Sequence, residues 1–189
     1  MADTVAALIR GHRPDYLAIG APDRPWLDYM GLEQLALRTR TTLNGVGIGR
    51  GDRVAIVLPN GPEMATCFVA VATSAVTAPL NPAYREEEFD FYLTDLEAEA
   101  LVVAAGDEGA AVTAGRRRGC RILRLQPGEL AGDFVLVPEN DEPGEPLVGG
   151  EADADDVALI LHTSGTTSRP NIVSLLHRNL ASSAKHISG

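Results

Sequence analysis

The sequence predicts an α/β protein, a mostly parallel sheet with helices on both faces. Two observations predict it. Val54-Ala55-Ile56-Val57-Leu58 and Leu101-Val102-Val103-Ala104 are continuous apolar runs of strand length, the pattern of strands covered on both sides. Helix-length segments separate the strand-like runs, and strand, helix, strand in succession requires crossovers, which are right-handed in parallel sheets.

Each element follows from its residues. Thr4 to Arg10 reads as a short amphipathic helix. Two short strands follow, Tyr16-Leu17-Ala18-Ile19 and Trp26-Leu27-Asp28-Tyr29, separated by the turn-forming Pro22-Asp23-Arg24-Pro25. Trp26 is read as a packing residue. From Gly31, the positions Leu32, Leu35, Ala36, Leu43 and Val46 recur at helical spacing, and Asn44-Gly45-Val46-Gly47 supplies a glycine stop. Gly51-Asp52-Arg53 turns into the first buried strand. Pro62 and Glu63 suit a helix first turn, and Met64 to Ala75 is apolar almost all round, so this helix is expected to be buried.

Val76-Thr77-Ala78-Pro79-Leu80 reads as a strand whose proline suits an edge or a strand end. Tyr84 to Ala98 is the clearest amphipathic helix, with Phe89, Tyr92, Leu93 and Leu96 on one face. Glu86-Glu87-Glu88 splay around its axis as a solvated acidic first turn, not as a metal site. A shorter helix is expected around Asp107 to Ala114, with Arg116-Arg117-Arg118 as an exposed end. Strands are expected at Arg121–Leu125 and Phe134–Val137. Residues 138–156, rich in Pro, Gly, Glu and Asp, read as a solvated linker or surface loop.

The chain carries 26 Asp+Glu against 16 Lys+Arg, a formal charge of −10. That balance argues against nucleic acid, whose phosphates demand a basic face. Cys67 and Cys120 are too few for a disulfide framework and point to a reducing cytoplasm. Met1-Ala2-Asp3 does not open a signal peptide. The longest apolar stretch, Phe68 to Leu80, is too short to span a bilayer.

The stretch most committed to chemistry is Asp156-Val157-Ala158-Leu159-Ile160-Leu161-His162-Thr163-Ser164-Gly165-Thr166-Thr167-Ser168-Arg169-Pro170. A strand-length apolar run ends in hydroxyl residues around one glycine. Such clusters are most often ordinary loops. At the end of a buried strand, however, hydroxyls and backbone N–H groups converge on one small volume, which is how an anion is gripped. A Walker-type loop is missing, and Ile172-Val173-Ser174-Leu175-Leu176 reads as a further strand, so the connection is strand–loop–strand.

Thr163-Ser164-Gly165-Thr166-Thr167, then Arg169-Pro170, then His177-Arg178-Asn179-Leu180 resembles the phosphate-loop signature of the adenylate-forming superfamily: the acyl-CoA synthetases, firefly luciferases and non-ribosomal peptide adenylation domains. Their pattern is roughly TSGTTGxPKGV, a strand, then H-R-N-L opening a helix. Gly51-Asp52-Arg53-Val54, Leu58-Pro59-Asn60 and Ala78-Pro79-Leu80-Asn81-Pro82 extend the resemblance, which runs from about Trp26 to the C-terminus. Ser168 beside His162 is similar to one subgroup, the oxalate–CoA ligases, whose loop reads LHTSGTTSRPK. Asn171-Ile172 departs from the pattern, standing where the family has Lys-Gly. Asparagine offers neutral hydrogen bonds, about half as strong as charge-assisted ones.

The resemblance implies that residues 1–189 are a partial AMP-binding N-terminal domain, the N-terminal subdomain of the superfamily's large domain. It implies ATP and Mg²⁺ as cofactors, CoA as co-substrate of the complete enzyme, and a small carboxylic acid as partner. Thr163, Ser164, Gly165, Thr166, Thr167, Ser168 and Asn171 would hold the ATP phosphates. The family's adenine and acyl pockets, Mg²⁺ carboxylate and catalytic lysine would fall beyond Gly189. By that reading the chain holds no catalytic residue and is expected to be inactive alone, the N-terminal part of an acid–CoA ligase. The alternative is a truncated, non-catalytic binding or interaction module. In either case exposed apolar surface would favour self-association or a complementing C-terminal part.

Overall fold

The computed structural model of the protein describes residues 3–140, 142–163 and 171–188. The chain opens with α1 (Val5–Arg10), the hairpin strands β1 (Leu17–Ala21) and β2 (Arg24–Asp28), and α2 (Tyr29–Gly45). Then come β3 (Arg53–Val57), α3 (Pro62–Ala72), β4 (Val76–Pro79), α4 (Glu86–Asp95), β5 (Ala100–Ala104) and α5 (Ala110–Arg118). It closes with β6 (Arg121–Pro127), β7 (Phe134–Pro138), β8 (Val157–Thr163), β9 (Asn171–Leu176) and α6 (His177–Ser188).

Strands β3 to β9 form one seven-stranded sheet in the order β7-β6-β5-β3-β4-β8-β9, while β1 and β2 pair separately. From β6 to β8 the neighbours are parallel. The two edges are antiparallel: β7 lies against β6, and β9 against β8.

The continuous apolar runs are what two covered faces require, because side chains alternate along a strand. Val54, Ile56 and Val102 point into one cluster with Leu35 and Leu43 of α2 and Cys67 and Val71 of α3. Their neighbours Ala55, Val57, Leu101 and Val103 point into a second cluster with Phe89 and Leu93 of α4 and Val112 of α5. Each large side chain fully buried in this way contributes about 1.5–3 kcal/mol. Helices therefore cover both faces, as the sequence predicts. Pro79 is the last residue of β4, which runs between β3 and β8, so of its two expected positions it takes the strand end.

Several boundaries shift for local reasons. Pro22 and Asp23 alone form the hairpin turn. Asp23 takes a positive φ of 59°, which a short polar side chain tolerates, and so Arg24 and Pro25 join β2. Trp26 lays its ring over Gly20 of the opposite strand, where a Cβ would collide with it, yet the residue stays 55% exposed. Helix α2 begins at Tyr29 because the Asp28 carboxylate accepts from the Gly31 N–H at 2.7 Å. Helix α5 starts later than Asp107 and runs through the three arginines to Gly119, whose φ of 72° closes it. Those arginines end the helix as expected, and each faces a carboxylate: Arg116 to Glu139 and Glu108, Arg117 to Glu86 and Asp90, Arg118 to Asp90.

The segment after Pro138 runs against the turns that precede β3 and β4. Arg50 N–H donates to Val148 O at 2.7 Å, and Ala152, itself buried, donates to Thr73 O at 2.8 Å. A Cβ on Gly144 would lie 2.8 Å from the Gly47 nitrogen, so only glycine allows that close approach. No helix among the described residues is long and apolar enough to cross a membrane.

Candidate functional site

Strand β8 joins β4 in parallel at Thr77↔Leu159, and the buried Thr77 hydroxyl donates to Ala158 O at 2.7 Å. Its C-terminal end therefore emerges on the same side of the sheet as the ends of β3, β4, β5 and β6, the side on which open α/β sheets hold ligands. Strand β9 returns antiparallel, with the rungs His162↔Ile172 and Thr163↔Asn171 last before the loop. This is the strand–loop–strand connection read from the sequence.

Two of the site residues expected from the sequence, Thr163 and Asn171, flank that loop. They face each other across the final rung, both exposed, with the Thr163 hydroxyl 3.4 Å from the Asn171 carbonyl oxygen that it donates to. Ser164, Gly165, Thr166, Thr167 and Ser168, with Arg169 and Pro170, lie outside the described residues. The exposed Asn171 side-chain amide can donate to an anion, and the Thr163 hydroxyl can do so by turning away from the Asn171 carbonyl. Among the described residues no group of three His, Cys, Asp or Glu is placed to hold a metal ion, so they name no ligand set for Mg²⁺.

The sequence reading overlooked what lies beneath the rim. Alternation sends Ile160 and His162 to the α4 side of the sheet. There the His162 ring, its side chain 6% exposed, brings Nε2 to 3.1 Å from the Asp95 carboxylate at the end of α4. Its edge meets the Tyr92 ring at 4.7 Å, and Tyr92 stacks on Tyr84 at 4.8 Å. The hydrogen bond between the two tyrosines, with burial adding to it, pushes Tyr84 up to about 12. The period-two pattern of β8 set against the apolar face of α4 was the signal that could have found this cluster.

The His177-Arg178-Asn179 triplet works as a hinge pin for the start of α6. His177 is completely buried, and its Nδ1 accepts the Val5 N–H of α1 at 3.3 Å. Burial pushes its pKa down, and Nε2 has no partner among the described residues. Arg178 pairs with Asp155, and the Asn179 side chain accepts the Leu176 N–H at 2.9 Å. All three residues fix where β9 turns into α6.

A cleft of about 630 Å³ opens at the other end of the sheet, lined by Arg118, Cys120, Arg121, Glu99 and Glu142 among others. Arg121 faces Glu142 at 3.6 Å and Arg118 faces Asp90 at 3.6 Å. Burial pushes the Cys120 thiol up to about 11, away from reactivity. The cleft is therefore a meeting of ion pairs and not a second anion grip.

A family model described as AMP-binding enzyme matches residues 8–188. An oxalate–CoA ligase of Arabidopsis thaliana is 35% identical over 98% of this chain and 37% of its own length. An oxalate–CoA ligase of Saccharomyces cerevisiae is 36% identical, over 73% of this chain and 30% of its own. A probable CoA ligase of Humulus lupulus is 38% identical over 85% and 31%. Among solved structures, apo MatB from Rhodopseudomonas palustris superposes with a TM-score of 0.77 at 27% identity, over 99% of this chain and 37% of that one. The ATP-bound form of MatB gives 0.76. The chain thus spans about a third of the length of the relatives it matches.

Proposed function

We propose, from the premise that this chain belongs to the AMP-binding enzyme family, that it is the N-terminal portion of an ATP-dependent acid–CoA ligase and supplies its phosphate grip. The observation that supports this most is where β8 ends and β9 begins. Thr163 and Asn171, the residues that flank the hydroxyl-rich segment, form the last rung of the hairpin at the carboxyl ends of the parallel strands.

In the reaction so assigned, a carboxylate oxygen attacks the α-phosphorus of ATP and pyrophosphate leaves. The CoA thiolate then attacks the acyl carbon and releases AMP. Negative charge spreads over phosphate oxygens in the first step, so catalysis rests on positioned donors. Thr163, Ser164, Thr166 and Thr167 would donate hydroxyls and backbone N–H groups to the β- and γ-phosphates. Gly165 would let the backbone approach, and Ser168 and Asn171 would close the rim. Mg²⁺ would neutralise phosphate charge when bound. Oxalate or a similar small acid is the parent substrate we favour, on His162 beside Ser168 and on the two oxalate–CoA ligase relatives. The buried, unpaired thiols of Cys67 and Cys120 fit a reducing cytoplasm.

ATP titration into the purified chain, followed by pyrophosphate release with oxalate, tests the reading. We expect ATP to bind, the chain alone to release nothing, and release to begin once the C-terminal part of an oxalate–CoA ligase is added. No ATP binding at all would sink it. Asn171-Ile172, in place of the family's Lys-Gly, favours a second reading, a non-catalytic binding module. That version gains support if complementation never restores turnover. Exposed Leu161, Ile172, Val173 and Ile187 supply the apolar surface for a complementing part or a second copy in either reading.

A further inference from the structure

We infer that His162 and Asp95 form a clamp that sets the position of the phosphate-loop rim, so that His162 is a positioning residue and not a ligand of the acid or of ATP. The inference rests on the phosphate-grip reading above. Direction comes first: Thr163 points away from the α4 side while His162, one residue earlier, points into it, because neighbouring side chains in a strand leave by opposite faces. The His162 side chain is 6% exposed and its ring lies against Tyr92. A group so enclosed cannot reach a substrate on the solvent side of the hairpin.

Its polar contact is specific. A carboxylate only accepts, so the Nε2 that lies 3.1 Å from Asp95 Oδ2 carries the proton and donates it. The bond ties the penultimate rung of the hairpin, His162↔Ile172, to the last residue of α4. The next rung is Thr163↔Asn171, the two donors at the rim. Strand β9 has no other neighbour in the sheet, and four of its six residues are exposed. Little else on the far side of β8 therefore restrains the rim. Tyr92 meets the His162 ring edge-on and is itself backed by Tyr84, so the imidazole is held in place by the rings while the Asp95 carboxylate stays partly open to solvent. Marking His162 as a feature of the oxalate-type loop now has a physical meaning: it orients the grip from beneath.

The test compares His162→Phe, which keeps a ring against Tyr92 and loses the donor, with Asp95→Ala, the double variant, and His162→Gln, which retains a donor. ATP affinity is measured by calorimetry on the full chain. Amide exchange is followed at residues 161–163 and 171–173, with β3 as internal control. We expect His162→Phe and Asp95→Ala each to bind ATP about tenfold more weakly, the double variant to be no worse than either, and His162→Gln to recover most of the loss. Exchange at the rim should rise about tenfold and stay unchanged in β3. Wild-type affinity in both His162→Phe and Asp95→Ala, or additive losses in the double, would overturn the clamp. If His162→Phe does not fold, Asp95→Ala carries the comparison. If the wild-type chain binds no ATP, the functional reading falls, and the exchange measurement still decides the clamp.

Discussion

Strands β3 and β9 belong to one sheet and live in different worlds. β3 has parallel neighbours on both sides, and from Val54 to Val57 none of its residues is more than 4% exposed. β9 has a single neighbour, and Ile172 and Val173 are about two-fifths open to water, at 43% and 38%. The first is held by burial on two faces, the second by a ladder, a clamp and the pinned start of α6. Local stability differs accordingly across a structure, and ligand-gripping segments belong to its loose end.

Three measurements would break or sharpen that contrast. The largest effect is expected from truncating one leucine on each side of it. Leu101 is wholly buried between strand and helices, so Leu101→Ala should destabilise by about 2–5 kcal/mol. Leu161, 38% exposed on β8, should lose less than about 1 kcal/mol on the same change. Equal shifts in chemical denaturation would erase the distinction. A smaller effect is expected at the seam. Thr77→Val removes the buried hydroxyl donor to Ala158 O, for a loss of about 1–2 kcal/mol. Amide exchange in β8 should rise with it while β3 stays protected.

The smallest effect is a pH dependence at the start of α6. Burial holds His177 below the ordinary histidine value of 6.5. The unfolded chain therefore takes up a proton that the folded chain refuses, and stability is full above about 6.5 and falls as pH drops below it. Denaturation midpoints measured from pH 7.5 to 5 should show this slope in the wild type. His177→Gln, which cannot titrate, should flatten it.

The interior of the sheet was legible because its residues face no choice. Val54 to Leu58 and Leu101 to Ala104 have no polar position at which to meet water, so both faces had to be covered. The segment from Thr163 to Asn171 was legible only as a string: hydroxyl and glycine clusters are most often ordinary loops, and it was the match to a family signature that set this one apart. What lies under it was not. Asp95 and His162 are 67 positions apart, and nothing local in either says they meet. The string His177-Arg178-Asn179-Leu180 likewise says nothing of the burial of its histidine, which comes from the packing of α1 against α6. Asp107 suggested a helix start, but its side chain accepts the Gly109 N–H instead and delays the helix to Ala110.

The seam at Thr77 has one more consequence, for the order in which the molecule comes into being. Strands β3 to β6 follow one another through single helices, so each finds its partners soon after it leaves the ribosome. β4 must wait for β8: the Thr77 hydroxyl and its acceptor are 81 positions apart. Closing so long a loop is entropically slower than the earlier steps, and nascent chains settle from the N-terminus. The flank of β4 is therefore left open during synthesis, a bare strand edge of the kind chaperones shield. The β8–β9 hairpin is made after these strands, and its docking closes that flank.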